Sequence, residues 1–168
     1  MIRSYKFFEK GWRLSVGIVL FNTNKKIFMG ERIDNKGAWQ MPQGGVKLSN
    51  NECLLSAAKR ELFEETGVKT VKYISQSKEW YYYYLPNYLS SKLWKGKFKG
   101  QKQKWFAFNF TGQEQEININ QEDFKPEFCS WKWVDPEMVS DLIVNFKRDI
   151  YKKVLKEFEN IYLENSRI

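Results

Sequence analysis

The stretch ECLLSAAKRELFEETGV, residues 52–68, decides the fold of this 168-residue chain. Its residues are strong helix formers. Leu55, Ala58 and Leu62 follow one another at helical spacing and form an apolar stripe. Gly67 comes directly after this run and is a natural C-terminal stop. The segment therefore predicts a helix over Glu52–Thr66 that packs on a core along one face.

Segments on both sides of this helix have the apolar runs and the period-two alternation of strands. The predicted strands are Leu14–Phe21, Ile27–Ile33, Val71–Ser77, Trp80–Leu85, Lys104–Phe110 and Phe128–Val134, with a loop over Asp34–Val46. A short helix follows Pro136, and a C-terminal helix covers Phe146–Phe158, about residues 146–160. Interleaved strands and helices without a linker predict one α/β domain over 1–168, a sandwich with a mixed sheet.

The composition excludes several kinds of catalysis. The chain has no histidine, so it has no Ser-His-Asp or Cys-His catalytic group and no His-ligated zinc. Cys53 and Cys129 form no CxxC pattern, which predicts reduced core thiols of a cytoplasmic protein. No run approaches the roughly 20 apolar residues that span a bilayer. The net charge of +8 suits polyanionic partners, or it reflects a solvated basic surface, and nothing in the sequence calls for a protein partner.

Three glutamates in the helix are candidate metal ligands. Glu61, Glu64 and Glu65 lie three and four positions apart, so their carboxylates share one helix face and repel one another. Oxygen-rich groups of this kind bind Mg²⁺ or Mn²⁺. The alternative is an ordinary solvated acidic face at the end of a helix.

The preceding WQMPQGG stretch, residues 39–45, favours the metal site, because paired glycines let the backbone approach a metal or phosphate closely. Together the two segments resemble the signature of the Nudix hydrolase family, G-x5-E-x7-R-E-U-x-E-E-x-G-U with U apolar. The half from Glu52 to Val68 matches at every fixed position. Seven residues instead of five separate Gly44 from Glu52. We expect the extra pair to lengthen a loop at Leu48–Asn51, on the side away from the three glutamates.

Further markers are similar to one branch of that family, the bacterial RNA pyrophosphohydrolases, which resemble diadenosine tetraphosphate hydrolases. The markers are GWR at 11–13, WQMPQGG at 39–45, GQKQKWFAF at 100–108, PEF at 126–128 and FKRD at 146–149. The resemblance implies an α/β/α sandwich and removal of pyrophosphate from 5′-triphosphorylated RNA, which leaves a 5′-monophosphate and opens bacterial mRNA to decay. A dinucleoside polyphosphate hydrolase is the alternative, and a non-catalytic RNA-binding or nucleotide-binding module is the third hypothesis.

The same resemblance assigns roles to the residues of the box, 44–68. It implies that a divalent metal is held by the Gly44 carbonyl and by Glu61, Glu64, Glu65 and Glu127, with Mg²⁺ as the expected ion. The catalytic residues are those four glutamates, and the general base is Glu64, Glu65 or Glu127. Glu122 and Asp123 are the solvated alternatives to Glu127. The structural positions of the box are Gly45, Glu52, Arg60 and Gly67.

Basic and aromatic groups are needed to hold the substrate. The resemblance places Arg13, Arg32 and Lys147 against phosphates, with Gln43 beside them; surface arginines are the alternative for the first two. Phe146 either stacks on an unpaired base or packs in the core at a helix start.

The segment from Lys92 to Lys104 contains six lysines interleaved with Trp94, Phe98 and Trp105. This pattern suits single-stranded RNA, or it is a solvated loop. The WYYYY tract at 80–84 is predicted to be strand core with a half-exposed aromatic face.

Overall fold

A computed structural model of the protein describes residues 4–90 and 92–163. The strands are β1 (Trp12–Phe21), β2 (Ile27–Arg32), β3 (Trp39–Gln40), β4 (Gln43–Gly45), β5 (Val71–Gln76), β6 (Tyr81–Tyr84), β7 (Gly100–Phe110) and β8 (Phe128–Val134). The helices are α1 (Leu54–Thr66), α2 (Asn87–Ser90), α3 (Val139–Leu142), α4 (Asn145–Glu157) and α5 (Glu159–Leu163). None of the helices within the described ranges is long and apolar enough to cross a membrane.

The strands form one mixed sheet in the order β3-β2-β1-β7-β5, with β4 paired to β1, β6 to β7 and β8 to β2. The central strands β1 and β7 are parallel and pair from Trp12 with Gly100 to Phe21 with Asn109. The other pairings are antiparallel. The box begins in β4 and is therefore attached to the middle of the sheet, because β4 pairs with β1.

Both faces of the sheet are covered, which confirms the α/β/α sandwich. Along β1 the side chains alternate: Val16 and Ile18 pack on α1, whereas Val19 and Phe21 belong to the core under α4. This burial on both faces explains why β1 is an almost continuous apolar run.

Helix α1 begins two residues later than the sequence predicts. Cys53 caps it, because its Sγ accepts a hydrogen bond from the Ser56 backbone N–H. Gly67 ends the helix with a φ of 75°, and its N–H donates to the Phe63 carbonyl at 2.8 Å. Glu52 thus lies before the helix.

Three expectations need correction. The loop predicted over Asp34–Val46 contains β3 and β4, which are too short to show a period. The lysine-rich segment is a loop only as far as residue 99, because β7 begins at Gly100. Within β7, Trp105 is fully buried and Lys104 donates to the Lys78 carbonyl at 2.8 Å, so neither is available to RNA.

The cysteines are not core residues as predicted. Cys53 is half-buried at the start of α1, and Cys129 is exposed because it points outward from β8. The tyrosine tract behaves as a strand, since Tyr83 is buried whereas Tyr82 and Tyr84 are exposed.

Candidate functional site

A cavity of about 820 Å³, called the main cavity below, lies beside the box, and three of the predicted carboxylates line it. Glu61 and Glu65 project from α1, and Glu127 comes from the segment before β8. Glu122 and Asp123, the alternatives to Glu127, are not among the lining residues.

A second cavity of about 640 Å³ adjoins the first. The two share Arg13 and Glu61, and the second adds Glu64. The carboxylates of the box therefore form a ridge between two cavities.

The glycine pair brings the backbone of β4 directly onto α1. A Cβ atom at Gly44 would lie 2.0 Å from the Glu61 carboxylate, so a side chain at this position would displace that group. The neighbouring Gln43 backbone N–H donates to Glu65 Oε2 at 3.2 Å. A Cβ at Gly45 would lie 2.5 Å from the Arg13 guanidinium. The close approach thus places backbone, carboxylates and one cation together.

Arg60 connects the positions of the box. It forms a bidentate ion pair with Glu52 at 2.6 and 2.8 Å, and it donates to the Gly45 carbonyl at 2.8 Å. Its Nη1 also lies 2.7 Å from Glu61 and 3.1 Å from Glu64. These hydrogen bonds, above all those to Glu52, raise the pKa of Arg60.

Glu52 contacts the longer loop in addition to its ion pair with Arg60. Its Oε2 accepts a hydrogen bond from the Lys47 backbone N–H at 2.9 Å. The loop is not on the far side of the carboxylates as predicted: Leu48 lines the second cavity, and Lys47 Nζ lies 3.6 Å from Glu64. Leu48–Asn50 of this loop form a 3-10 turn that ends at Asn51, where φ is 51°.

The electrostatics of the ridge indicate a cation site. Burial, followed by the charges of Glu127 and Glu61, raises the pKa of Glu65 well above its usual value. Burial also raises the pKa of Glu61. The donors are all carboxylate or carbonyl oxygens, the type that hard divalent ions prefer. The residues present therefore fit a divalent metal.

In the described ranges, 4–90 and 92–163, two of the carboxylates of the box form ion pairs with an arginine. No three acidic or cysteine side chains there already stand in a metal-holding arrangement. Glu61 and Glu64 both pair with Arg60 instead. A divalent ion would therefore compete with Arg60 for these two oxygen donors.

The predicted phosphate-binding cations line the same cavity as the carboxylates. Lys147 exposes only 4% of its surface and donates to Gln40 Oε1 at 3.2 Å. Burial, followed by the charge of Arg32, lowers the pKa of Lys147 to about 7. Arg32 pairs with Asp34 at 2.5 Å and lies 3.8 Å from Glu127.

Arg13 lies at the point where the two cavities meet. Its guanidinium stacks 4.7 Å from the ring centroid of Trp94, and burial lowers its pKa. Phe146 packs on the core, with its ring centroid 6.0 Å from that of Tyr83, and it also lines the main cavity.

Other residues that the sequence does not predict also line the main cavity. They are Asp34, Asn35, Tyr88, Leu89, Leu93, Gln101, Val144 and Asn145. Most of them lie in loops or in helices of four residues, which are too short to show a period. Trp94, already a candidate for RNA contact, lines the same cavity. Gln101 had a detectable signal, the alternation GQKQKW, which places its two glutamines on one face of a strand and its two lysines on the other.

Known proteins resemble this chain in sequence and in fold. The NUDIX domain model matches residues 11–154. An RNA pyrophosphohydrolase of Wolbachia pipientis is 45% identical over 91% of this chain and 93% of its own. One of Rickettsia conorii is 44% identical over 94% and 96%. The solved structure of a C. elegans Ap4A hydrolase binary complex superposes with a TM-score of 0.62 at 17% identity, covering 88% of this chain and 98% of that one.

Proposed function

This chain belongs to the NUDIX domain family, and from that premise we propose that it removes pyrophosphate from the 5′-triphosphate end of RNA and leaves a 5′-monophosphate. The observation that carries the proposal is one cavity with two kinds of lining. Glu61, Glu65 and Glu127 supply oxygen donors, and Arg32 and Lys147 supply buried or half-buried basic groups. The two relatives named RNA pyrophosphohydrolase support RNA as the substrate.

We propose that the carbonyl of Gly44 and the carboxylates of Glu61, Glu64, Glu65 and Glu127 hold the divalent metal that the family uses, with Mg²⁺ or Mn²⁺ as the ion. When bound, such an ion neutralises phosphate oxygens and lowers the pKa of a coordinated water. The close approach at Gly44 supports this assignment, because it brings the backbone of β4 next to the Glu61 carboxylate.

The protein's own groups orient the polyphosphate and move the proton. Arg13 is positioned between the two cavities, where a chain of phosphates passing the ridge would meet its guanidinium. Arg32 and Lys147 would hold the phosphates from the side of α4. A carboxylate accepts the proton of the attacking water, and the candidates are Glu64, Glu65 and Glu127.

A paired substrate assay tests this function. The protein is incubated with Mg²⁺ and either an end-labelled triphosphate RNA or diadenosine tetraphosphate, and kcat/KM is compared. We expect the RNA to be the better substrate. A strong preference for the dinucleotide would instead assign the alternative activity. Failure to release phosphate from either would leave a nucleotide-binding module.

We also propose that the protein acts in the cytoplasm. Cys53 and Cys129 are free thiols, and the exposed Cys129 would be vulnerable in an oxidising compartment.

A further inference from the structure

One residue that lines the main cavity has a buried acceptor that folding does not use. Gln101 exposes 4% of its surface, and its side-chain oxygen has no hydrogen-bond partner among the described residues. The same residue lines the main cavity. A buried carbonyl without a donor is unfavourable, and native structures keep few of them. An unpaired acceptor in this position indicates that a bound ligand donates the missing hydrogen bond.

The strand that carries Gln101 explains why this residue is at the cavity. Residues 101 and 103 point to the α4 side of the sheet together with Trp105, whereas Lys102 and Lys104 point to the other side. Lys102 is already paired with Glu9 at 3.1 Å. The glutamines of the GQKQKW motif, not its lysines, therefore lie on the α4 side of the sheet, and Gln101 lines the main cavity.

The neighbours of Gln101 are suited to a nucleoside. Arg13 lies opposite it on β1, and Tyr83 lies opposite it on β6. Arg13 stacks on Trp94, which lines the same cavity together with Tyr88. The rings of Trp94 and Tyr88 offer an aromatic surface at this cavity, and aromatic surfaces of this kind stack on nucleic-acid bases.

The chemistry of an acceptor limits what it can bind. Gln101 Oε1 needs a hydrogen-bond donor, and the ionised oxygens of a polyphosphate are acceptors. Of a triphosphorylated RNA end, only the nucleoside has donors, namely amino or ring N–H groups of the base and the ribose 2′-hydroxyl.

We propose that Gln101 is a specificity-determining residue whose side-chain oxygen accepts a hydrogen bond from the nucleoside attached to the polyphosphate. Gln103 is a positioning residue, because its Nε2 donates to Gln43 Oε1 at 3.4 Å and keeps the amide of Gln43 at the edge of the cavity. The inference rests on the proposed function and adds to it a contact that is independent of the carboxylates.

The test compares three short synthetic triphosphate RNAs that differ in the first nucleoside: adenosine, purine riboside and 2′-deoxyadenosine. Purine riboside lacks the base amino group, and 2′-deoxyadenosine lacks the ribose hydroxyl. In the unaltered protein we expect one replacement to lower kcat/KM about tenfold, which identifies the donor. Indifference to both replacements overturns the inference.

The variant Gln101→Leu removes the acceptor. It should hydrolyse the adenosine RNA about tenfold more slowly than the unaltered protein and treat the three RNAs alike within about twofold. Its Tm should not fall, since an unpaired buried acceptor has been removed. Gln101→Met serves as a second variant of similar length if the leucine variant does not fold. Equal kcat/KM for the unaltered protein and these variants overturns the inference.

Ser15→Ala is the matched control. Ser15 is buried on the same face of β1 as Arg13, and its hydroxyl oxygen also lacks a partner among the described residues. Unlike Gln101, Ser15 is not among the residues that line the main cavity. We expect kcat/KM to be unchanged. If the unaltered protein hydrolyses none of the three RNAs, the proposed function itself fails, and the inference fails with it. An active protein matched by Gln101→Leu refutes the inference alone.

Discussion

Helix α1 and strand β7 both carry a conspicuous motif, but the two motifs work in different ways. In α1 the spacing of Glu61, Glu64 and Glu65 alone places their side chains on one helix face, whatever the rest of the fold does. In β7 the alternation divides residues between two faces, and their roles depend on what covers each face. Lys104 lies buried under a turn, whereas Gln101 lines the cavity. Local geometry therefore predicts chemistry in a helix more directly than in a strand.

The largest effect is expected from a change in α1. Glu64→Gln should lower kcat by about 100-fold or more, because it removes a charged oxygen donor from the proposed metal site. RNA binding should remain, since the cations of the cavity are untouched. Measurement of kcat and of RNA affinity checks both statements, with the exposed Glu122→Gln as the control of equal charge change. A fully active Glu64→Gln would refute the metal assignment.

Alanine substitutions at two glycines should have different effects, one on activity and the other on stability. Gly44→Ala pushes a methyl group against the Glu61 carboxylate, the end of a flexible side chain, so activity should fall at least tenfold while Tm changes little. Gly17→Ala pushes a methyl group to within 2.4 Å of the Trp105 ring in the core, and we expect it to cost about 1–3 kcal/mol of stability. Thermal unfolding and kcat/KM of both variants test the pair. Equal losses of stability would contradict the local role of Gly44.

A smaller effect is expected where α4 holds the box in place. The Tyr151 hydroxyl accepts a hydrogen bond from the buried Met41 backbone N–H at 3.0 Å, just before β4. Tyr151→Phe leaves that donor unpaired and should cost about 1–2 kcal/mol of stability. Tyr162→Phe is the control, since it loses a half-buried hydrogen bond to the Leu155 carbonyl instead. A Tyr151→Phe protein as stable as the control would contradict this role.

The difference between α1 and β7 also explains how much the sequence could predict. The mixed sandwich follows from local periods, and the C-terminal end of α1 follows from Gly67. The 3-10 turn at Leu48–Asn50 and the hydrogen bond from the Lys47 backbone N–H to Glu52 lie in an irregular loop, where the sequence shows no period. The placement of Gln101 follows from its pairing with β1, at a sequence separation that no local pattern spans.

The smallest expected effect concerns the part of the lysine-rich segment that lies before β7. Lys97 and Lys99 are exposed and stand over the rings of Phe98 and Trp12, at 5.5 and 4.8 Å from the ring centroids. If RNA follows this surface, replacing both by alanine should reduce the slope of log binding constant against log salt by about 1.4, roughly 0.7 for each phosphate contact with a single strand. Replacing the exposed Lys152 and Lys153 of α4 removes the same charge and should leave the slope unchanged. Equal slopes for the two double variants would make residues 97–99 a solvated loop, and RNA recognition would then be confined to the cavity.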